Sequence, residues 1–583
     1  MYNENRIPNY EKKPIKVIEN SSSISGFEDI VEELKNAINN IKKEKKVIVF
    51  DYYHGVDEKK IIDYVLKKID NVTLIDISYA KYPEDVILNK LGKYITDDRT
   101  FGVYCWEKID ECFNLEKIDE LRTEIRNVSG SIIIYGVAAA LVTKGDILVY
   151  CNMSYPEIMK RYTEGLDNWG AENYDEDFER KLKRGTFFDF MMLDRHKRPL
   201  LKECNYMIDC NNVNNLVMVT GEEFRRVLTT FANTPFKAVS NFTPSVWGGD
   251  WTKKVLGCGK DLQNTGWGMN GFLEVQSVLA KVGTNVMEFP SIDIYNYSPK
   301  ETLGKKIFYL FGYKCPLHVN FLDTFGGENL SLQVHPTVAY SQEVFNAHYG
   351  HYESYYILDA TENANVYLGT KEGVKKEEIV EAFEIATETN KFNDEKYINK
   401  FPVKRHDHVF IPSGTIHSAG KDNMVLEIDM CTFATFKLWD WNRLDLDGTP
   451  RPINIEHGKH NIQEEFQTTL IKDMFISKQQ VVERGHGWVK EHSGTMPYES
   501  FLEVNRYWFD KSIYFETNDC IMIHVLVDGE EAIIESIDGE FEPMIIHFAE
   551  AAFVPAAVGH YTIRPYGRSE GEKCAVLEVF VKF

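Results

Sequence analysis

A change of rhythm near residue 235 constrains this chain more than any other feature. Before it, apolar runs that suit strands buried on both faces alternate with stretches of helical spacing. KKVIVFDYY is followed by DEKKIIDYVLKKI, and NVTLIDIS, FGVYCW, SIIIYGVAA, DILVYCN and NYMIDCN recur with segments such as YPEIMKRYTEGL and GEEFRRVLTTFA among them. That alternation predicts a doubly wound parallel sheet with helices on both sides. After NTPFKAVSNFTPS, which reads as a linker, short strands follow one another with Gly, Asn, Asp and Pro between them. HVFIPSGTIHSAG, NMVLEIDM and ATFKLWDW lie in a first such region; SIYFET, CIMIHVLVDG, EAIIESI, EPMIIHF and AAFVPAAV lie in the tail. Strands this dense, interrupted by the helical stretch KEEIVEAFEIATE, predict β-sandwich or barrel architecture. The parallel between FIPSGTIHS and FVPAAVGHY suggests that the barrel is duplicated.

At 583 residues the chain is too long for one core, so several domains are expected. With 89 acidic against 66 basic residues, a net charge of -23, its surface as a whole repels nucleic acid and anionic membranes, and neither is expected as a partner. The opening MYNENRIPNYEKKPIKVIEN lacks a signal-peptide core, and the longest apolar run, Ser131 to Val142, is too short to cross a bilayer. Ten scattered cysteines without a CxxC pair fit neither a zinc knuckle nor a disulfide framework, which suits a reduced, cytoplasmic protein.

The chemistry concentrates in NLSLQVHPTVAYSQEVFNAHYGHYESYYILDA, Asn329 to Ala360. Side chains alternate faces along a strand, so Gln333 and His335 point one way while Leu332 and Val334 point into a core. Glu353 stands in the apolar strand HYESYYIL, where an unpaired buried carboxylate costs several kcal/mol, so something positive is expected to meet it. His417 follows the Ser-Gly turn of FIPSGTIHSAG. Two imidazoles and two oxygen donors without a thiolate suit zinc or a neighbouring divalent metal at a catalytic site. A buried histidine is more often a hydrogen-bonded core residue, and spacing alone leaves the two readings level.

Several motifs in a fixed order carry a resemblance from about Val239 to Phe583. SVWGGDW, CPLHVNFLD followed by LSLQVHP, HYESYYIL, FIPSGTIHSAGKDNMVLEI and ATFKLWDWNRLDLDGTPRPI together resemble the type I phosphomannose isomerase family of zinc-dependent cupins. The resemblance implies a double-cupin, jelly-roll fold and interconversion of mannose 6-phosphate and fructose 6-phosphate through a cis-enediol. It places one zinc ion per chain on Gln333, His335, Glu353 and His417. Lys437 and Arg443, six apart in FKLWDWNR and on one face if the strand is extended, fall where the family keeps two cations for the phosphate or enediolate. The chain departs from the pattern where many members have a catalytic Lys and it has His351, and again at Asn320 and Phe433. His351 is the candidate for proton transfer, with Glu427 of VLEI beside it. The alternatives are an isomerase of another sugar phosphate and a non-catalytic sugar-phosphate sensor.

The expected organisation is thus an α/β domain over 1–235, a metal-binding cupin over 236–460 with a helical insertion near 376–400, and a second cupin without a metal over 461–583. The first domain loosely resembles a degenerate P-loop nucleoside or nucleotide kinase. Its first turn, DYYHGVDEKKII, has one Gly and no Gly-Lys-Ser to cradle phosphates, so no phosphoryl transfer is expected. Arg180, Lys183, Arg184, Arg195 and Lys197 are read either as former anion ligands or as a plain helix surface.

Overall fold

A computed structural model describes residues 6–430, 432–493 and 500–583. The chain forms two units. One comprises Ile15–Ala232 with Val275–Ser298, the other Met1–Pro14, Asn233–Glu274 and Pro299–Phe583.

In the first unit the described strands form a seven-stranded sheet in which Val72–Asp76, Ser131–Val137, Lys46–Tyr52, Ile147–Asn152 and Tyr206–Asp209 run parallel in that order. Val217–Thr220 and Ile24–Ser25 extend it antiparallel at one edge. The central strands are buried along most of their length, mainly through apolar side chains that alternate faces, as suits a sheet flanked by helices such as Phe27–Asn40, Leu115–Asn127 and Gly221–Asn233. The segment Val275–Ser298, which follows the linker in sequence, belongs to this unit. Its strand Ser277–Val282 pairs parallel with Ile15–Ile18 and antiparallel with Asn285–Pro290. Asp293, fully buried, accepts hydrogen bonds from Lys197 Nζ and Asn152 Nδ2, each at 2.7 Å.

In the second unit the described strands form two pairs of antiparallel sheets. The first pair joins a six-stranded sheet, ordered His408–Ile411, Tyr352–Ala360, Asn423–Met430, His318–Asp323, Trp267–Gly271 and Asn241–Thr243, to a five-stranded one, ordered Ile398–Pro402, Asn365–Thr370, His417–Ala419, Leu332–Val334 and Phe436–Trp439. Between them lies a core of Leu322, Ile357, Val409 and Val425 from one sheet and Val366, Leu368 and Ala419 from the other. The helical insertion is Lys376–Thr389 with Asp394–Tyr397. The second pair, of six and four strands, encloses its own core around Phe515, Leu526, Ile534 and Val576. Arg506 links the two pairs, donating to Tyr356 Oη and His406 O at 3.0 Å each.

Candidate metal centre

Short strands and the turns that end them assemble the site. Gln333, at the centre of Leu332–Val334, pairs with His417 on one neighbour and with Lys437 on the other. His335 follows this strand directly, and its carbonyl accepts the Gly414 N–H at 3.0 Å, which closes the turn from which His417 emerges. Gly414 has φ +85°, and a Cβ there would stand 2.5 Å from Asn461 O, so the turn requires glycine. Glu353 comes from the facing sheet, where it pairs with Ile411 and Asp429.

The four side chains meet. Glu353 is fully buried; its Oε2 bonds His335 Nε2, and its Oε1 lies 3.5 Å from His417 Nε2. Gln333 Nε2 is 3.2 Å from His417 Nε2, and the rings of His335 and His417 are 4.8 Å apart. Each imidazole turns its other nitrogen to the backbone: His417 Nδ1 is 2.9 Å from Thr415 O, and His335 Nδ1 is 3.4 Å from Ala434 O. An N–H donated to a carbonyl from Nδ1 leaves a lone pair on Nε2. Lone pairs of two imidazoles aimed at one carboxylate repel unless a cation lies among them. A half-turn of the Gln333 amide presents its oxygen to the same point. The residues present therefore fit a divalent metal bound through nitrogen and oxygen.

His351, at the start of the same stretch, stacks on His335 with ring centroids 3.6 Å apart. Its Nε2 lies 3.9 Å from both Glu353 Oε2 and Asp429 Oδ2. Burial, reinforced by His335, pushes its pKa well down. His335, His351 and Glu353 place ligand-type atoms within 4.8 Å of one another. Glu427 pairs across the sheet with Asn320 and Tyr355, and burial, with Glu353 and Asp429 nearby, raises its pKa well above the usual range.

Behind these residues lies a polar layer that sequence reading missed. His318 is held between Asp429 Oδ1 and Glu274 Oε2, each at 3.1 Å, with Phe272 stacked on its ring. Burial alone would lower the His318 pKa; Glu274 and Asp429 overcome it and raise the value to about 9. The signal was present in NMVLEIDM, where Glu427 and Asp429 share a strand face with no apolar reason to do so.

Lys437 and Arg443 stand differently from the sequence reading. Lys437 faces Gln333 across the ladder. The strand ends at Trp439, and Trp441 and Asn442 turn the chain with φ of 48° and 57°, so no extended strand puts Arg443 on the face of Lys437. The Arg443 guanidinium instead binds Asp440 and donates to Asn329 O at 2.6 Å. Asp440 also takes Arg451 and the Ser331 hydroxyl.

In the first unit, a cavity of about 290 Å³ opens at the carboxyl ends of the parallel strands, lined by His54, Gly55, Glu58, Asp76 and Lys81 among others. The basic residues that followed it in sequence are engaged by protein groups. Arg184 pairs with Glu84, Lys197 with Asp293 and Arg180 with Asp177; Lys183 donates to Thr96 O, and Arg195 to Cys105 O. In the tail sheets His524 lies 2.6 Å from Tyr561 Oη, and His547 2.9 Å from Glu550 Oε1. Among the described residues no helix is long and apolar enough to cross a membrane.

Comparison with known proteins gives the following. Residues 26–233 match a family model described as a domain of unknown function, DUF8485. The chain is 29% identical over 224 residues to the mannose-6-phosphate isomerase of Streptococcus mutans, covering 38% of this chain and 66% of the relative. It is 28% identical over 218 residues to a putative mannose-6-phosphate isomerase, YvyI, of Bacillus subtilis, covering 36% of this chain and 63% of the relative. The chain thus spans just under two thirds of the length of these relatives. Among solved structures, the mannose 6-phosphate isomerase of Bacillus subtilis aligns with a TM-score of 0.48 at 19% identity, over 59% of this chain and 99% of that one. A zinc-bound mannose 6-phosphate isomerase aligns at 0.43 and 12%, over 60% of this chain and all of that one. These relatives lend no support to a kinase likeness in the first domain. The resemblance to the phosphomannose isomerase family, read from motifs between Val239 and Phe583, is shown by the curated relatives.

Proposed function

We propose that this chain is a mannose-6-phosphate isomerase, converting mannose 6-phosphate to fructose 6-phosphate and back. One observation carries the reading: Gln333, His335, Glu353 and His417, matching the family's ligands in type and order, converge on one buried point. The relatives' names point the same way. One zinc ion per chain, held by these four residues, would supply Lewis acidity toward the sugar's carbonyl and hydroxyl oxygens.

The protein's own groups do the rest. The buried Glu353 carboxylate and the two imidazoles form a rigid, water-poor floor on which the open-chain sugar is oriented. A proton moves between C1 and C2 through a cis-enediol, with His351 as the candidate to carry it and Glu427, also beside the ligand set, as the second. Lys437 and Arg443 supply positive charge for the phosphate or the enediolate; Arg443 keeps a fixed orientation through Asp440 and Asn329. The runner-up readings, another sugar phosphate or a sensor, keep the site and change its use; an intact four-residue set favours the enzyme.

The test is an isomerase assay on mannose 6-phosphate, with and without a chelator, on the intact chain and on His417→Ala. Turnover abolished by the chelator, restored by zinc and lost in His417→Ala is expected. Turnover that survives in His417→Ala overturns the assigned site, and bound zinc without turnover on several hexose phosphates favours a sensor.

A further inference from the structure

We infer that the cavity at the carboxyl ends of the first unit's parallel strands binds a neutral, polyhydroxylated small molecule of the size of a free hexose. The inference stands apart from the metal centre and its proposed use. The first observation is place. Lys46–Tyr52 and Ser131–Val137 are neighbours in the sheet, yet the chain leaves them in opposite directions. The first is followed by Val72–Asp76, beyond Ser131–Val137, and the second by Ile147–Asn152, beyond Lys46–Tyr52. The connections part above these two strands, and there open α/β sheets hold their ligands. The walls of the cavity come from the turns after Lys46–Tyr52 and Val72–Asp76, from the end of Ser131–Val137 and from residues 166–170. At about 290 Å³ it stands at the low end of ligand pockets, roughly 300–1,000 Å³, and suits one small molecule.

The second observation is the chemistry of the walls. Glu58 and Asp76 offer carboxylate acceptors and Lys81 an ammonium donor, and among the described residues none of the three forms an ion pair. Asp76 Oδ1 accepts the Ser78 N–H at 2.7 Å. The three charges nevertheless feel one another: desolvation, then Asp76, push the Glu58 carboxyl up to about 7, and Lys81 opposes them. Trp169 and Phe113, with ring centroids 5.9 Å apart, add flat apolar surface. His54, 4% exposed, sets its Nε2 3.0 Å from Tyr162 Oη, and burial pushes its pKa down to about 3, so it brings no charge.

These walls select a class of ligand. Two carboxylates against one ammonium repel a phosphate, and the ammonium of Lys81 disfavours a second cation beside it. Among the described residues the three ligand-type groups close enough to share a metal ion are His335, His351 and Glu353, not the acids of this cavity. A hydroxyl both donates and accepts. Neighbouring hydroxyls of one sugar ring can therefore donate to Glu58 and Asp76 and accept from Lys81, while its C–H face lies on the Trp169 indole.

The experiment uses the full-length His417→Ala protein stripped of metal, which removes the metal centre as a competing sugar site. D-Mannose, D-fructose, D-glucose, their 6-phosphates and adenosine are titrated in turn and followed by ligand-observed saturation-transfer NMR. At least one free hexose is expected to bind, with the strongest transfer at its ring C–H protons, and at least tenfold tighter than its 6-phosphate. In the same background Glu58→Gln, Lys81→Met and Asp76→Asn, which keeps an oxygen for the Ser78 N–H, should each weaken that binding about tenfold without changing thermal unfolding. No binding by any free hexose overturns the inference. So does affinity unchanged in all three variants, or tighter binding of the 6-phosphates or of adenosine.

Discussion

The polar layer behind the site makes stability depend on pH in a way that can be worked through. His318 sits fully buried between Glu274 and Asp429, and its pKa rises from the ordinary 6.5 to about 9. A group whose proton is held more tightly in the folded than in the unfolded state stabilises the fold while it stays protonated. That contribution is complete below pH 6.5 and is lost as pH climbs through 9. At about 1.4 kcal/mol for each tenfold change in proton affinity, it amounts to about 3 kcal/mol. Glu274 is held below its usual range with His318 among the causes, so it stays ionised throughout this window. For a unit of this size the loss corresponds to a fall in melting temperature of roughly 4 °C. The assay is thermal unfolding by circular dichroism at pH 6.5, 8 and 9.5, for the wild type and for His318→Gln, which keeps hydrogen bonds but cannot titrate. The wild type should lose stability across this range, and the difference between the two proteins should shrink as pH rises. A pH-independent difference would refute the reasoning.

Other perturbations follow from the same geometry. Gly414→Ala forces a Cβ to within 2.5 Å of Asn461 O at φ +85° and is expected to cost about 2–3 kcal/mol in urea unfolding while weakening metal binding through His417; wild-type stability would contradict the assigned turn. Lys197→Met leaves the fully buried Asp293 without its cation and should destabilise the first unit by about 3–5 kcal/mol, read from its denaturant midpoint. Arg443→Lys keeps the charge but loses the planar fork that binds Asp440, and kcat/KM for mannose 6-phosphate should fall about tenfold or more with little change in unfolding, since Arg451 still pairs with Asp440.

Much of this architecture was legible because the two halves obey different periodicities. The stretch KKVIVFDYY holds the unbroken apolar run VIVF, residues 47–50, of a strand buried on both faces, and such a run is recognisable without neighbours. The segment Val275–Ser298 was not legible, because strand pairing with Ile15–Ile18 joins residues more than 250 positions apart and leaves no local trace. The ligand set Gln333, His335, Glu353 and His417 came from the resemblance of the motifs to a family; the residues by themselves offered only an oddity, a carboxylate inside HYESYYIL that something positive has to meet. Arg443 was misplaced for a simple reason. Counting six residues along an assumed strand ignores where the strand stops, and two residues of positive φ ended it after Trp439. His318 and Glu274 escaped notice because neither belongs to a motif; their meaning lies in burial beside Asp429, which only the folded chain supplies.

Anomalous diffraction from crystals grown with zinc, recorded on both sides of the zinc edge, addresses the account at its root. One peak per chain is expected, enclosed by the side chains of Gln333, His335, Glu353 and His417. An absence of signal there, or a sole peak on surface carboxylates elsewhere, would contradict it.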